Sequence, residues 1–175
     1  ISRNIMAITD NLEELFDIVD GDDNVIGQAT RRECHAEPAL IHRAAFVLVF
    51  NDRGEILWQE RSLSKDVNPG QWVTSVSGHV NAGESYEEAA VRETREELGV
   101  DLPVEFLGKF LYRYPTETEY SAVFRTFSSG PFDYNRDEIA SVAFMMVADI
   151  LQREREGRLK ISPAAHYIID SLSLH

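Results

Sequence analysis

Residues 78–100 read GHVNAGESYEEAAVRETREELGV, and this stretch contains the strongest helix signals in the chain. Ser85 followed three residues later by Glu88 is typical of a capping box at a helix start. Residues 86–98 contain neither glycine nor proline, and Gly99 stands where a helix-ending glycine is expected. The pattern predicts a helix over 86–98 with one face packed on a sheet. The side chains expected on that face are Ala90, Val91, Thr94 and Leu98.

The predicted helix also carries an acidic face. Glu93, Glu96 and Glu97 are spaced i, i+3 and i+4, so their side chains are neighbours on the helix surface. Adjacent carboxylates repel one another unless positive charge lies among them, and oxygen ligands suit Mg²⁺ or Mn²⁺. A solvated acidic helix face is the alternative reading of this spacing.

The residues flanking these glutamates match a known motif. Gly78, Glu84 and the run 92–100 resemble the Nudix box, G-x5-E-x7-R-E-U-x-E-E-x-G-U, in which U is apolar. Every fixed position matches, and Thr94 at an apolar position is the one departure. The resemblance implies an α/β fold, the Nudix α/β/α sandwich with a mixed β-sheet. We expect one domain over residues 1–175, with residues 1–14 as a flexible N-terminal segment.

The resemblance also implies roles for residues at the matching positions. A divalent cation, Mg²⁺ or Mn²⁺, would be bound by Glu93, Glu96, Glu97 and the carbonyl oxygen of Gly78. Arg92 would pair with Glu84 and so fix the loop against the helix. The family hydrolyses a nucleoside diphosphate, or another diphosphate, linked to a variable group X. The base would be Glu93 or a glutamate outside the box, and the sequence leaves this choice open.

A second resemblance lies mostly outside the box. Residues 61–65 and 72–79 look like the isopentenyl-diphosphate isomerase branch of the Nudix superfamily, and the similarity extends over about residues 16–147. In that branch three histidines and two glutamates bind a second metal, and such a set suits Zn²⁺, Mn²⁺ or Fe²⁺. The matching residues are His35, His42, His79, Glu117 and Glu119. Arg61 and Lys65 match positions that bind the diphosphate of the substrate.

Two positions depart from the isomerases. Ser77 stands where they use a catalytic cysteine, and Ala164 stands where they carry a tryptophan after Ser-Pro. The hydrolase carboxylate is present at Glu93, where the isomerases carry an arginine. We therefore expect a metal-dependent diphosphate hydrolase on an isomerase-like scaffold. Two alternatives remain, an isopentenyl-diphosphate isomerase with an unusual acid and a catalytically weak Nudix-fold binding module.

Composition limits the partners. The 175 residues contain 17 Lys and Arg against 30 Asp and Glu, a net charge of −13, which disfavours nucleic acid polymers and anionic membranes. The single cysteine excludes a disulfide within the chain. No apolar run is long enough for a bilayer and no signal peptide is visible, so we expect a cytoplasmic protein. We expect a small diphosphate-containing substrate as the partner, and a homodimer stays open.

Local patterns predict the other elements. Runs at 15–20 and 24–30 around Gly21-Asp22-Asp23 indicate an added N-terminal β-hairpin. Further strands are expected at 44–50, 55–61, 72–76, 106–114, 120–127 and 143–146, and helices at 148–156 and 163–172. Cys34 is interpreted as structural, because neighbours on a strand face opposite sides and a dyad with His35 would not form.

Overall fold

A computed structural model describes residues 11–65 and 67–174 of the chain. The strands are β1 (Leu15–Val19), β2 (Val25–Thr30), β3 (Ile41–Phe50), β4 (Ile56–Arg61), β5 (Trp72–Val73), β6 (Val76–His79), β7 (Glu105–Arg113), β8 (Thr118–Phe127) and β9 (Ile139–Met145). The helices are α1 (Arg31–Cys34), α2 (Tyr86–Leu98), α3 (Val147–Arg155) and α4 (Pro163–Ser171). None of these helices has the length and apolarity that a bilayer crossing needs.

The sheet is mixed, as expected, and β3 is its central strand. β3 pairs in parallel with β8 along its whole length, from Ile41 opposite Thr118 to Phe50 opposite Phe127, and antiparallel with β6. β4 pairs with β5 and β9, and β7 pairs with β8. The β1–β2 hairpin joins this sheet where Val19 pairs with Ile41. The predicted N-terminal hairpin is therefore confirmed.

Helices cover both faces of the sheet. Side chains alternate along β3, so Phe46 belongs to a buried cluster with Ile150 of α3 and Ile168 of α4. Val47 points to the other face and belongs to a second buried cluster, which contains Leu98 of α2. This arrangement confirms the α/β/α sandwich and explains why residues 44–50 form a continuous apolar run.

The central helix, α2, has the predicted bounds. Ser85 Oγ accepts a hydrogen bond from Glu88 N at 3.1 Å, which is one of the two bonds of the predicted capping box. Gly99 ends the helix at φ 69°, in the left-handed region that favours glycine. One packing prediction is wrong, because Val91 is only half-buried. Ala89 is buried instead; Ala89 and Val91 lie on opposite sides of the buried Ala90, each about 100° from it around the helix.

The segment before β3 differs from the sequence-based prediction. Cys34 lies on the short helix α1 and not on a strand, so the strand argument for its role is wrong. Its thiol is nevertheless buried, and burial raises its pKa to about 11. The prediction of a flexible segment at 1–14 falls largely on residues 1–10, outside the described residues. The part at 11–14 is hydrogen-bonded to α1, with Arg31 N donating to Glu14 O at 2.8 Å.

The predicted strand at 72–76 is two strands, because the chain changes neighbours within it. β5 pairs with β4, whereas β6 pairs with β3. Ser75, between them, bridges those two neighbours through its hydroxyl group. Its Oγ accepts from Val49 N at 2.8 Å and donates to Leu57 O at 2.6 Å. This crossing brings β6 and the following loop beneath α2, where the acidic residues lie.

Candidate active site

A cavity of about 440 Å³ lies between β6, the acidic face of α2 and the start of α4. Most of the residues predicted to form the site line this cavity, and His35, His42 and Glu84 lie in contact with lining residues. The lining residues among them are Arg61, Lys65, Gly78, His79, Arg92, Glu93, Glu96, Glu97, Glu117 and Glu119. The fold therefore joins the two predicted clusters, the carboxylates of α2 and the histidine–glutamate group, in one cavity.

Arg92 connects the loop before α2 to the acidic face. Its guanidinium binds both oxygens of Glu84, with Nε to Oε2 at 2.7 Å and Nη2 to Oε1 at 2.9 Å. The predicted Arg92–Glu84 ion pair is thus present and bidentate. Nη2 also donates to the carbonyl oxygen of His79 at 3.0 Å, and Nη1 donates to Glu93 Oε1 at 2.7 Å. One side chain therefore holds the 78–84 loop and a carboxylate in fixed positions.

Gly78 allows a close approach that any larger residue would prevent. A Cβ atom at this position would lie 2.2 Å from Cδ of Glu93, far inside van der Waals contact. The backbone of β6 and the carboxylate of Glu93 can meet only because residue 78 has no side chain. The predicted role of the Gly78 carbonyl oxygen as a further ligand of the cation stays a prediction.

Glu97 is buried beneath the cavity and is held by two donors. Gln59 Nε2 donates to Glu97 Oε1 at 2.7 Å, and Ser77 N donates to Glu97 Oε2 at 3.2 Å. Gln59 is itself anchored, because the same nitrogen also donates to Ser75 O at 2.9 Å. Sequence reasoning missed Gln59, whose only signal is an amide within the apolar run of β4.

Two carboxylates of the acidic face have raised pKa values. Burial raises the pKa of Glu93 to about 7, even though the charge of Arg92 acts in the opposite direction. Burial also raises the pKa of Glu97 well above its usual value, and the negative charge of Glu93 adds to this effect. Two carboxylates in this environment are ionised together only if a cation lies close to them.

The histidine–glutamate group converges on one point. His35, His42, His79 and Glu117 each offer a ligand atom, and these four atoms lie within 4.8 Å of one another. His35 Nε2 is 2.8 Å from Glu117 Oε2 and 3.4 Å from His79 Nε2. Ligands bound at 2.0–2.1 Å in a tetrahedron lie about 3.3 Å apart, so the spacing is close to that of a metal site.

Glu119 lies at the edge of this group. Its Oε2 is 3.4 Å from His42 Nε2, while its Oε1 accepts a hydrogen bond from Ser121 Oγ at 3.1 Å. Neither ring nitrogen of His42 has a hydrogen bond to any described residue, although the ring is completely buried. A buried imidazole without a partner is unfavourable, and a metal ion at the centre of the group would supply one.

The environment of His79 also favours a neutral ring. Burial lowers its pKa well below the usual value, and the nearby charge of Arg31 lowers it further. Arg31 Nη1 lies 3.0 Å from His79 Nδ1. Histidine must be neutral to bind a metal, so this electrostatic environment suits a ligand. The role of Arg31 could not be read from the sequence, because α1 is too short to give a periodic pattern.

Positive charge faces the carboxylates across the cavity. The charges of Arg61 and Lys65 both lower the pKa of Glu97, against the larger effect of burial. Arg61 is held by its own loop, since its Nε donates to Val67 O at 2.8 Å. A further carboxylate that sequence reasoning missed, Glu138, also lines the cavity, and its charge contributes to the raised pKa of Glu93.

Comparison with known proteins gives consistent matches. The family model for the NUDIX domain matches residues 40–165. An uncharacterised Nudix hydrolase of Yersinia pestis is 38% identical over 141 residues, covering 80% of this chain and 77% of that protein. An isopentenyl-diphosphate Delta-isomerase of Streptomyces avermitilis is 34% identical over 147 residues, covering 79% of this chain and 74% of that protein.

A solved structure agrees with these matches. The crystal structure of DR0079 from Deinococcus radiodurans superimposes with a TM-score of 0.77 at 28% identity, covering 89% of this chain and 97% of that chain. The family match spans β3 to the start of α4, which includes the acidic face of α2 and the loop that Arg92 holds. From the sandwich fold, the matched domain and the related sequences, we conclude that this chain belongs to the Nudix hydrolase family.

Proposed function

We propose that this protein hydrolyses a diphosphate linkage in a small substrate, such as a nucleoside diphosphate linked to a group X, and that it requires Mg²⁺ or Mn²⁺. One observation carries the proposal. Glu93, Glu96 and Glu97 line the same cavity as Arg61 and Lys65. Carboxylates that bind a divalent cation, next to side chains that bind an anion, are complementary to a metal–diphosphate complex.

The residues present fit a divalent cation. Burial raises the pKa of Glu93 and of Glu97, and a divalent cation beside the two carboxylates would favour their ionised forms. The ligand atoms on offer are the carboxylate oxygens, and the carbonyl oxygen of Gly78 is the further ligand that the family resemblance implies; oxygen ligands suit a hard cation. When bound, such a cation would neutralise the diphosphate and polarise a phosphoryl oxygen.

We assign the role of general base to Glu138. Glu93 accepts a hydrogen bond from Arg92 at 2.7 Å, and Glu97 accepts from Gln59 and Ser77. The carboxylate of Glu138 lines the cavity and accepts no hydrogen bond from any residue within 11–65 and 67–174. The oxygen atoms of the Glu138 carboxylate are therefore available to accept a proton from the attacking water. As water attacks phosphorus, its proton passes to Glu138 and the bond from phosphorus to the leaving oxygen breaks.

The second predicted metal remains part of the proposal. The group His35, His42, His79 and Glu117 fits Zn²⁺, Mn²⁺ or Fe²⁺, because imidazole nitrogens dominate the ligand set and His42 otherwise has no hydrogen-bond partner among the described residues. Glu119 would be a fifth ligand or would orient His42. A cytoplasmic location and a homodimer stay predictions as well.

The decisive test is Glu97→Gln. Glutamine keeps the shape of the side chain but removes a ligand charge, so turnover should fall by about 10²-fold or more at saturating Mg²⁺. Phosphate release from a panel of diphosphate compounds, with Mg²⁺ and with Mn²⁺, first identifies a substrate. Glu87→Gln is the matched control, because Glu87 is exposed at the start of the same helix. Equal turnover in the two variants would show that the acidic face has no part in the reaction.

Isomerisation of isopentenyl diphosphate is the second candidate, because an isomerase is among the relatives. Ser77 and Ala164 both line the cavity. A hydroxyl is a much weaker acid than a thiol, and a methyl group offers no aromatic face to a carbocation. We expect no enzyme-dependent uptake of deuterium from D₂O into isopentenyl diphosphate. Clear uptake would replace the hydrolase assignment with the isomerase.

A further inference from the structure

The cavity extends past the glutamates to the first turn of α4. Ser162, Pro163, Ala164 and Ala165 line this end of it. The turn is fixed to β5, because Trp72 N donates to Lys160 O at 2.8 Å and Ser162 N donates to Trp72 O at 2.9 Å. These bonds place the start of α4 beside the segment that leads from β5 to β6.

The first turn of α4 presents an unused donor to the cavity. Ser162 Oγ accepts from Ala165 N at 3.2 Å, and Pro163 has no N–H. The N–H of Ala164 therefore has no acceptor in its own turn, and none among the described residues. No acidic side chain lies in this turn, so the positive end of the helix dipole is not compensated there.

An unpartnered hydroxyl lines the same cavity as this donor. Thr74 is 1% exposed and lines the cavity, and its Oγ1 makes no hydrogen bond to any residue that the structure describes. Trp72, two residues before Thr74, pairs in parallel with Ile161, two residues before Pro163, and both Thr74 and Pro163 line the cavity. A buried hydroxyl without a hydrogen bond raises the free energy of the unliganded protein. A ligand that forms a hydrogen bond with Thr74 would remove this unfavourable contribution.

Positive charge lines the same cavity. Arg61 lines it, and Arg61 N donates to Gln71 O at 2.9 Å, one residue before β5. The charge of Arg61 lowers the pKa of Glu97 and of His79, two residues that line the cavity. The carboxylate of Glu138 also lines the cavity, and its charge acts on Glu93.

We propose that the Ala164 N–H and the Thr74 hydroxyl form an anion-binding subsite, which takes a phosphoryl group of the substrate. An amide N–H, a hydroxyl and a nearby guanidinium together suit an oxyanion. The inference rests on the proposed function, because the phosphoryl group belongs to the same diphosphate that the glutamates would bind through their cation.

The test is a titration of the metal-free full chain with inorganic phosphate, followed by the amide resonances of ¹⁵N-labelled protein. We expect a saturable shift at the Ala164 amide. In Thr74→Val the apparent Kd should rise about tenfold, because a hydrogen bond to a charged group is lost. Thr74→Ser keeps the hydroxyl and should bind like the parent protein. Thr126→Val, a buried threonine of β8 that does not line the cavity, is the matched control.

Three results would overturn the proposal: no saturable shift at Ala164, an unchanged Kd in Thr74→Val, or equal losses in Thr74→Val and Thr74→Ser. A second titration, with methylenediphosphonate and Mg²⁺, separates substrate from free phosphate. This non-hydrolysable compound should bind more tightly than phosphate and should also shift the Gly78 amide. Binding no tighter than that of phosphate would contradict a substrate subsite. Neither titration measures turnover. The subsite and the proposed hydrolysis are therefore tested by separate experiments, and either can fail while the other holds.

Discussion

Two carboxylates that line the cavity have different surroundings. Glu93 is fixed, because Arg92 donates to it and the backbone at Gly78 packs against it. Glu138 is fixed only through its backbone, where its carbonyl oxygen accepts from Ser62 N at 2.9 Å, and its half-buried carboxylate remains available. This contrast suggests a division of work, with Glu93 binding the cation and Glu138 accepting a proton.

Glu138→Gln tests that division. The amide cannot accept the proton of water, so kcat should fall by about 10²–10⁴-fold, while KM and the affinity for Mn²⁺ stay close to those of the parent protein. Asp137→Asn is the control, because Asp137 is the exposed neighbour in the same loop. A parallel loss of Mn²⁺ affinity would instead identify Glu138 as a metal ligand, and unchanged turnover would remove it from the reaction.

A buried carboxylate at the tip of the β1–β2 hairpin binds three side chains from the rest of the fold. Asp23, at the tip of the hairpin, accepts from Arg43 Nε at 2.8 Å, Lys109 Nζ at 2.7 Å and Tyr86 OH at 2.9 Å. The hairpin leads directly into α1, which precedes His35. The position of one histidine of the second cluster therefore depends on contacts at the far end of the hairpin.

Asp23→Asn should lower the free energy of unfolding by about 1–3 kcal/mol at pH 7. Asparagine tolerates the φ of 64° at this position, so the backbone should stay in place. Although burial opposes it, contact with Lys109 and Arg43 lowers the pKa of Asp23. Its stabilisation is therefore present above about pH 3.9 and is lost as the pH falls through the lower value of the folded state.

Urea unfolding at pH 7 and at about pH 3 measures the difference, which should shrink at the lower pH. Asp22→Asn, at the exposed neighbouring position, should change little at either pH. An equal loss of stability at both pH values would show that the charge of Asp23 does not hold the hairpin.

At the scale of the whole molecule, the histidine–glutamate group joins segments that are distant in sequence. His35 follows α1, His42 lies on β3, His79 ends β6, and Glu117 precedes β8. A metal ion at this point would connect the N-terminal region to the centre of the sheet. It would also lie in contact with the cavity that contains the acidic face of α2.

Elemental analysis of protein purified without chelator should find a transition metal near one equivalent. His42→Ala should lower this content sharply and leave Mg²⁺ binding by Glu96 and Glu97 largely unchanged, because these ligands come from a different element. His166→Ala is the control, since His166 pairs with Glu154 away from the group. Equal metal content in the two variants would disprove the site.

The sequence was informative where signals are local. Ser85 and Gly99 marked the ends of α2, and the resemblance to the Nudix box implied the Glu84–Arg92 ion pair that the structure contains. The packing of Val91 was misjudged. Ala90 is buried, but Val91, one residue further around the helix, is only half-buried. Helix α1 was missed, since four residues give no period to detect.

Other parts of the site depend on contacts that no local pattern encodes. Gln59 reaches Glu97 from β4, and Thr74 lines the cavity directly after β5, whose Trp72 pairs with Ile161 just before α4. Glu138 enters the cavity from the loop before β9. Each of these proximities is set by strand pairing between segments distant in the chain.

The parallel pairing of β3 with β8 has a consequence for synthesis on the ribosome. Every residue of β3 is matched to a partner 77 positions later in the chain, as with Ile41 and Thr118. While residues 41–117 emerge, the central strand has no partner on that side, and loop-closure entropy opposes early pairing. The pairing of β3 with β8 can form only after β8 has been synthesised. Until then the apolar strand β3 is accessible to chaperones and to other chains on that side.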